Sequence, residues 1–195
     1  MAYSNNVRIE DDLTKKIIDV ATKIAYDDGV GEVTVKRILD EMGVTNRVFY
    51  NRFSNINEVI LIIYNNIVDK IRQCLDTGYS GETDFYEYVI NLGVAVLKKT
   101  YENKLHFSQY MFEYDSYMSE NRRWWMKHIE VLIKYGIEKG YFIPVDAESM
   151  SYSVWCFCRG FNADAIGGGL LPDDAEKRFR VGFSSLVRGM KPDKA

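Results

Sequence analysis

Apolar residues recur along this chain mostly at helical spacing, and few segments alternate with the two-residue period of a half-buried strand. One apolar stripe predicts a first helix over 12–28, and two glycines follow it. A second, short helix follows Thr34, a candidate cap, and Gly43 breaks it. A third helix begins at the candidate cap Thr45 and leads through a turn, with Asn55 as the next cap, into a long fourth helix. The pattern therefore predicts an all-α protein.

The second half of the chain continues this pattern after a linker at 76–81 that is rich in glycine, serine and threonine. Its apolar positions predict five further helices, at 84–103, 104–115, 119–140, 146–166 and from 173 to near 189. We expect Ser119 to cap the third of these helices. Asp173 and Glu176 have the spacing of a capping box at the start of the last one.

Composition narrows the class of protein. The chain has 195 residues, of which 47% are hydrophobic, so it can bury a substantial core. Its net charge is −3, and residues 1–56 carry eight Lys and Arg against nine Asp and Glu. Any nucleic acid must therefore be bound through locally placed cations, because the field of the whole domain does not attract it.

The chain carries no recognisable signal for export or membrane insertion. Its first twelve residues are polar, and no apolar run reaches the ~18–20 residues needed to cross a bilayer. Three cysteines do not make a disulfide framework, so we expect a cytoplasmic protein. Cys156 and Cys158 lie two residues apart on a predicted helix, and we interpret them as buried small residues that face different sides.

The most informative stretch is TVKRILDEMGVTNRVFYNRF, residues 34–53, in which two short helices flank Gly43. Each helix has one narrow apolar face, as in a helix-turn-helix whose second helix enters the major groove of DNA. The outward donors of the second helix are Asn46, Arg47, Tyr50, Asn51 and Arg52. Arg reads guanine and Asn reads adenine in that groove. On spacing alone, a generic helical hairpin with a solvated polar face is the alternative.

This stretch, with the helix before it and SNINEVI after it, resembles the TetR family of transcriptional repressors. The similarity covers about residues 12–65 and includes the turn Gly43-Val44-Thr45 and the cluster Phe49-Tyr50-x-x-Phe53. It implies an N-terminal three-helix DNA-binding helix-turn-helix domain at 1–56. A larger helical-bundle domain for ligand binding and dimerisation would follow at 57–195.

The resemblance also implies roles for individual residues. Together with Asn51 from the outward face, the implied DNA contacts are Thr34, Lys36, Thr45, Asn46, Arg47 and Tyr50. Tyr50 would bind phosphate, whereas Phe49 and Phe53 would belong to the core. Arg47 stands where the family often has Gly, and Ile56 stands where it usually has a phosphate-binding Lys. We therefore expect a distinctive base-reading surface and a shallow salt dependence.

Large aromatic side chains are frequent from residue 84 onward. Most are expected to be core or interface residues, and some to line a pocket, because small-molecule sites in helical bundles are mostly apolar. The resemblance places the pocket among the helices of 84–140, and we expect an apolar or aromatic effector. The candidate ligand-binding residues are Phe107, Tyr110, Met111, Tyr114, Trp125 and His128.

The last two predicted helices carry long apolar faces, formed by Met150, Val154, Phe157 and Phe161 and by Phe179, Phe183, Leu186, Val187 and Met190. The resemblance implies that these helices form a four-helix interface in a homodimer. A palindromic operator also requires two recognition helices roughly 34–36 Å apart. The alternative is that both faces pack only within one subunit.

No catalytic, cofactor or metal site is predicted. His106 and His128 are the two histidines, and neither has a Cys or carboxylate at ligand spacing. No nucleophile–base signature is recognisable. We therefore predict a homodimeric repressor that a small apolar ligand releases from operator DNA. The alternatives are a small helical enzyme, or a helical ligand-binding or protein-interaction module with weak or lost DNA binding.

Overall fold

The computed structural model describes residues 9–75, 78–103 and 105–192. Within these ranges it contains nine α-helices, no strand, and short 3-10 helices at Val30–Glu32 and Gln73–Leu75. The helices are α1 (Asp12–Asp27), α2 (Val35–Met42), α3 (Asn46–Tyr50), α4 (Ile56–Arg72), α5 (Phe85–Tyr101), α6 (Leu105–Tyr117), α7 (Ser119–Glu138), α8 (Ala147–Gly167) and α9 (Pro172–Arg188). The predicted all-α class is confirmed. Two residues of the predicted linker, 76 and 77, lie outside the described residues.

The helices divide between two compact units. The first unit runs to Lys70 and adds Asn103–Tyr110, so it holds α1, α2, α3, most of α4 and the start of α6. The second unit comprises Ile71–Glu102 and the residues from Met111 onward. The boundary expected between 56 and 57 separates a DNA-binding domain from a ligand-binding domain by function, whereas these units are defined by packing. That boundary stays a prediction.

The core of the first unit follows the apolar periodicity of the sequence. Asp11 caps α1 by accepting a hydrogen bond from the backbone N–H of Thr14 at 2.8 Å. Within α1 to α4 and the turn after α3, the largest buried side chains are Ile17, Ile24, Ile38, Phe49, Phe53, Val59 and Ile63. Since these are the positions of the predicted stripes, the hydrophobic pattern specifies this core.

The core of the second unit is built on aromatic rings. α5 packs along α9, and α7 packs along α8. Phe179 and Phe183 of α9 contact the ring of Phe157 of α8, with centroids 5.6 and 5.8 Å away. A Cβ at Gly93 of α5 would lie 2.8 Å from the Phe183 ring, so α5 approaches α9 this closely because residue 93 has no side chain.

This core corrects the assignment of the long apolar faces to a dimer interface. Phe179, Phe183, Val187 and Met190 are each at most 4% exposed within a single subunit. They belong to the same cluster as the buried side chains of α5, which covers them. The alternative of packing within one subunit therefore describes these four side chains, and a homodimer through the last two helices stays a prediction.

Two helices begin differently from the predictions. α7 includes Ser119 as its first residue, so Ser119 is not its cap. α9 begins at Pro172, before Asp173, because proline is favoured at a first helical position, where no N–H is required. Glu176 therefore closes no capping box and instead accepts a hydrogen bond from Arg180 at 3.0 Å.

One cysteine of α8 is also placed differently from the prediction. Cys156 is exposed, whereas Cys158 packs against the aromatic core of the second unit. Burial raises the pKa of the Cys158 thiol to about 12. Among the described helices, none has the length and apolar character that crossing a bilayer requires.

Candidate nucleic-acid interface

The first unit presents α2 and α3 as two short helices joined by a tight turn. Thr34 caps α2 by accepting a hydrogen bond from the backbone N–H of Arg37 at 3.2 Å. Gly43 has a φ of 66°, and the N–H groups of Gly43 and Val44 both donate to the carbonyl of Leu39. Glycine adopts this left-handed conformation without a Cβ clash, so α2 ends here and the chain turns into α3.

Two buried rings hold α3 in place. Phe49 and Phe53 are fully buried, and their ring centroids lie 5.4 Å apart. Tyr50 packs edge-on against Phe49 at 5.3 Å, while 47% of Tyr50 remains exposed. A helix of five residues is not stable by itself, so tertiary packing maintains it. The predicted assignment of Phe49 and Phe53 to the core agrees with this geometry.

All of the residues predicted to contact DNA are exposed. They are Thr34 and Lys36 at the start of α2 and Thr45, Asn46, Arg47, Tyr50 and Asn51 in and beside α3. These are the segments that a helix-turn-helix presents to the major groove. Their donors and acceptors are therefore accessible to a base edge or a phosphate.

The two threonines that precede α2 and α3 use their side chains differently. Thr34 is occupied as a cap, as described above. Thr45 precedes α3 with extended backbone, but its side chain makes no cap hydrogen bond, so the prediction that its hydroxyl caps α3 is wrong. That hydroxyl is instead available to a group outside the chain.

Arg52 points inward, contrary to its predicted place among the outward donors. It is 8% exposed. Its Nε donates to Oδ1 of Asp11 at 2.9 Å, a terminal nitrogen donates to Oδ2 of Asp11, and Nη1 donates to the carbonyl of Val48 at 2.8 Å. Hydrogen bonds from Arg52, and next from the N–H of Thr14, hold the pKa of Asp11 well below its ordinary value of 3.8. The sequence could not reveal this pair, because its members are 41 residues apart.

Three carboxylates surround Arg37 on the surface of the same unit. Arg37 forms an ion pair with Asp28, and its other nitrogens lie 3.6 Å from Glu32 and 3.7 Å from Glu41. Exposed pairs of this kind contribute little stability. They do offset the charge of Arg37, which makes it a poor partner for phosphate.

Residues 34–53 contain four cations, and two of them, Arg37 and Arg52, are paired with carboxylates. Lys36 and Arg47 are exposed, and neither makes an ion pair with any residue that the structure describes. The local charge that the acidic composition requires is therefore supplied at the start of α2 and within α3.

The start of α4 adds backbone capping but no cation. The N–H of Glu58 donates to Asn55 at 3.2 Å, and the Glu58 carboxylate accepts from the N–H of Ser54 at 2.9 Å. Ile56, the first residue of α4, is half-buried and has no donor in its side chain.

The six candidate ligand-binding residues are distributed over both units. Phe107 and Tyr110 belong to the first unit, with ring centroids 5.8 Å apart. Phe107 is fully buried and packs against Tyr26 of α1 at 5.7 Å. The other four, which belong to the second unit, are Met111, Tyr114, Trp125 and His128.

Within the second unit these side chains differ in exposure. Met111 and Trp125 are buried, and Trp125 stacks on Trp155 of α8 at 6.4 Å. His128 is exposed and stacks on Trp124 with ring centroids 3.7 Å apart. Tyr114 is half-buried.

Sequence analysis missed a polar cluster that joins the last residue of α4 to α6 and α7. Arg72 donates to Oδ1 of Asn121 at 2.9 Å, and Asn121 donates to Asp115 at 3.0 Å. The Arg72 guanidinium also lies 4.5 Å from the ring centroid of Trp124. No motif marks these residues, because they are far apart in sequence and each is an ordinary polar position of its helix.

The part of the chain that the structure describes holds no group of three His, Cys, Asp or Glu side chains suited to a metal ion. The side chain of His106 lies outside the described residues.

Comparison with known proteins assigns the helix-turn-helix to a family. Residues 17–61 match the family model described as bacterial regulatory proteins, tetR family. The matched segment runs from α1 through α2 and α3 into α4, so it contains the whole candidate interface. A comparison with curated protein sequences gave no significant match.

Solved structures share the fold over nearly the whole chain. A TetR-family transcriptional regulator from Syntrophomonas wolfei is 15% identical, with a TM-score of 0.73 over 94% of this chain and 98% of its own. A TetR/AcrR-family regulator from Thermobifida fusca is 21% identical, with a TM-score of 0.68 over 93% of this chain and 100% of its own. A TetR transcription regulator from Haloarcula marismortui is 20% identical, with a TM-score of 0.69 over 93% and 99%.

The match of the helix-turn-helix supports a DNA-binding transcriptional regulator, and the matched family and the structural neighbours are regulators, which are not enzymes. The motif-bearing segment thus matches the TetR family model, as its sequence motifs predicted, and the chain shares its fold with TetR-family regulators.

Proposed function

We propose that this protein is a homodimeric repressor that leaves its operator when a small apolar or aromatic effector binds. The arrangement of α2 and α3 carries the DNA-binding part of this proposal. The seven side chains predicted to contact DNA are exposed there, while Phe49 and Phe53 are buried and hold α3.

The exposed residues have complementary tasks in DNA recognition. Arg47 and Asn46 supply the donors and acceptors that read guanine and adenine edges. Lys36 and the hydroxyl of Tyr50 bind backbone phosphates. Because few unpaired cations are available, few counterions are displaced, and each phosphate contact contributes about −0.9 to the salt slope. We therefore expect a shallow salt dependence.

We place the dimer interface on the outward faces of the last two helices. Tyr152 of α8 and Val181 of α9 are 52% and 68% exposed. Asp174, Lys177 and Arg178 lie around Val181. A patch with both signs of charge is self-complementary across a twofold axis. Such a dimer supplies the two recognition helices that a palindromic operator needs.

We propose an effector that is apolar or aromatic because the candidate contacts are mainly rings. They are Phe107, Tyr110, Met111, Tyr114, Trp125 and His128. A ligand that prefers one dimer geometry changes operator affinity by a coupling of roughly 1–3 kcal/mol in typical switches. Release would therefore appear as a loss of affinity of about 5- to 150-fold.

The decisive experiment measures DNA binding by fluorescence anisotropy, using fragments that the full-length protein selects from a random-sequence library. Arg47→Ala should lower affinity for the selected fragment about tenfold or more, since a bidentate base contact contributes about 1–3 kcal/mol. Arg123→Ala is the matched control, because it removes the same charge from an exposed position on α7. Failure to select any sequence would contradict the proposal and favour a helical ligand-binding or protein-interaction module.

The dimer and the effector are tested separately. Val181→Asp should yield monomers by light scattering and weaken operator binding, while circular dichroism stays unchanged. A dimeric Val181→Asp protein would contradict the placement of the interface. A panel of apolar and aromatic compounds, added to the protein–DNA complex, should contain at least one that lowers the anisotropy without unfolding the protein.

A further inference from the structure

The Arg52–Asp11 pair joins the start of α1 to the end of the recognition helix. The Arg52 guanidinium faces both carboxylate oxygens of Asp11, the fork-to-fork geometry that gives an ion pair directional strength. The same guanidinium donates to the carbonyl of Val48, one of the carbonyls that α3 leaves without a helical partner at its end. Oδ1 of Asp11 also accepts from the N–H and the hydroxyl of Thr14 in the first turn of α1.

These contacts restrain the end of α3, which the five-residue helix cannot hold in place by itself. α3 has five residues, Thr45 makes no cap hydrogen bond, and the rings of Phe49 and Phe53 hold one side of the helix. Apolar packing is non-directional, so two rings fix the orientation of a short helix less strictly than hydrogen bonds of defined geometry do. The guanidinium is planar and bound on both sides, so it provides a directional link from the last turn of α3 to α1.

We propose that Arg52, held by Asp11, is a positioning residue that sets the orientation of the recognition helix and thereby the specificity of DNA binding. The inference rests on the proposed function, because it needs a DNA-binding activity to act on. Arg52 acts through α3 and not by touching DNA, since it is 8% exposed and its nitrogens are bound within the unit.

The distinction between positioning and contact has measurable consequences. Non-specific binding depends on exposed cations, which an altered Arg52 leaves in place, so it should change less than twofold. Specific binding depends on base edges reached from Asn46 and Arg47, and a rotated helix misaligns both. We expect Arg52→Ala to lower the ratio of specific to non-specific affinity by about tenfold or more, the cost of roughly one misread base pair.

The test compares four full-length proteins by anisotropy on the selected fragment and on a scrambled fragment over a range of salt concentrations. They are the unaltered protein, Arg52→Ala, Arg52→Lys and Asp11→Asn. Asn is as good a helix cap as Asp, so Asp11→Asn keeps the start of α1 and removes the charged fork. Circular dichroism at the assay temperature verifies that each protein is folded. Arg123→Ala again controls for the loss of a positive charge.

The expected result is a fall in the specificity ratio for Arg52→Ala and Asp11→Asn, partial recovery in Arg52→Lys, and an unchanged salt slope in all of them. A salt slope reduced by about 0.9 in Arg52→Ala would make Arg52 a direct phosphate contact and overturn the inference. An unchanged specificity ratio would overturn it as well. If the unaltered protein selected no DNA, the proposed function and this inference would both fail, whereas the other two outcomes leave the proposed function intact.

Discussion

In the first unit, short local signals set where α2 begins and ends, whereas the core of the second unit is formed by ring packing between helices that are distant in sequence. In the first unit, Thr34 caps α2 and Gly43 ends it, within ten residues of one another. In the second, Gly93 must lack a side chain because Phe179 and Phe183 come from nearly ninety residues later. The ends of α2 therefore depend on residues close in sequence, while the core of the second unit depends on residues far apart along the chain.

The strongest test of this comparison removes one fully buried ring from each unit. Phe49→Ala and Phe179→Ala should each destabilise their own unit by about 3–5 kcal/mol. All three tryptophans, at 124, 125 and 155, belong to the second unit, so their fluorescence reports on that unit alone. In urea titrations, Phe179→Ala should shift the fluorescence transition, and Phe49→Ala should shift mainly the circular dichroism. Equal shifts of both signals in both variants would show that the units unfold as one.

Two glycines sharpen the comparison because they are needed for different reasons. Gly136 of α7 has helical backbone, but a Cβ there would overlap the ring of Phe142 and lie 3.0 Å from Phe85, so Gly136→Ala should cost about 1–3 kcal/mol. Gly43 has open space around it and a φ of 66°. Gly43→Ala should cost about 1–2 kcal/mol, and Gly43→Asn should cost less, because Asn tolerates this conformation. If Asn were no better than Ala at position 43, backbone strain would not be the reason for the glycine.

The same difference explains how much the sequence could predict. Helix periodicity predicted all nine described helices, and the motif at 34–53 predicted the exposed face of α3 together with its buried rings Phe49 and Phe53. What it could not predict depends on partners far along the chain. Arg52 looks like an outward donor until Asp11 is placed beside it. The apolar face of α9 looks like an interface until α5 is packed on it.

A smaller effect separates the two threonines before α2 and α3. Thr34→Ala removes a cap and should cost about 1 kcal/mol of stability. Thr45→Ala removes a hydroxyl that makes no cap hydrogen bond, so stability should hardly change while affinity for the selected DNA falls. Thermal unfolding and anisotropy measured on both variants provide the check. A clear loss of stability in Thr45→Ala would show that its hydroxyl serves the fold.

The smallest effect is a loss of stability at low pH, and it concerns the Asp11–Arg52 pair that links α1 to the end of α3. Hydrogen bonds from Arg52, and next from the N–H of Thr14, keep the pKa of Asp11 below its ordinary value of 3.8 in the folded protein. The unfolded chain therefore binds the extra proton first as the pH falls. The stabilisation from this carboxylate is complete above about pH 5 and is lost progressively in more acid solution.

Asp11→Asn lacks the titrating group and so isolates this contribution. The difference in unfolding free energy between the unaltered protein and Asp11→Asn should be constant from pH 7 to pH 5 and should shrink toward pH 3. Urea titrations followed by circular dichroism at each pH measure it. Low pH protonates many carboxylates at once and so changes the total stability of both proteins. Only the difference between the two proteins reports on Asp11. A difference that stayed constant down to pH 3 would mean that Asp11 gains nothing from its charge, and the link between α1 and α3 would then rest on neutral hydrogen bonds alone.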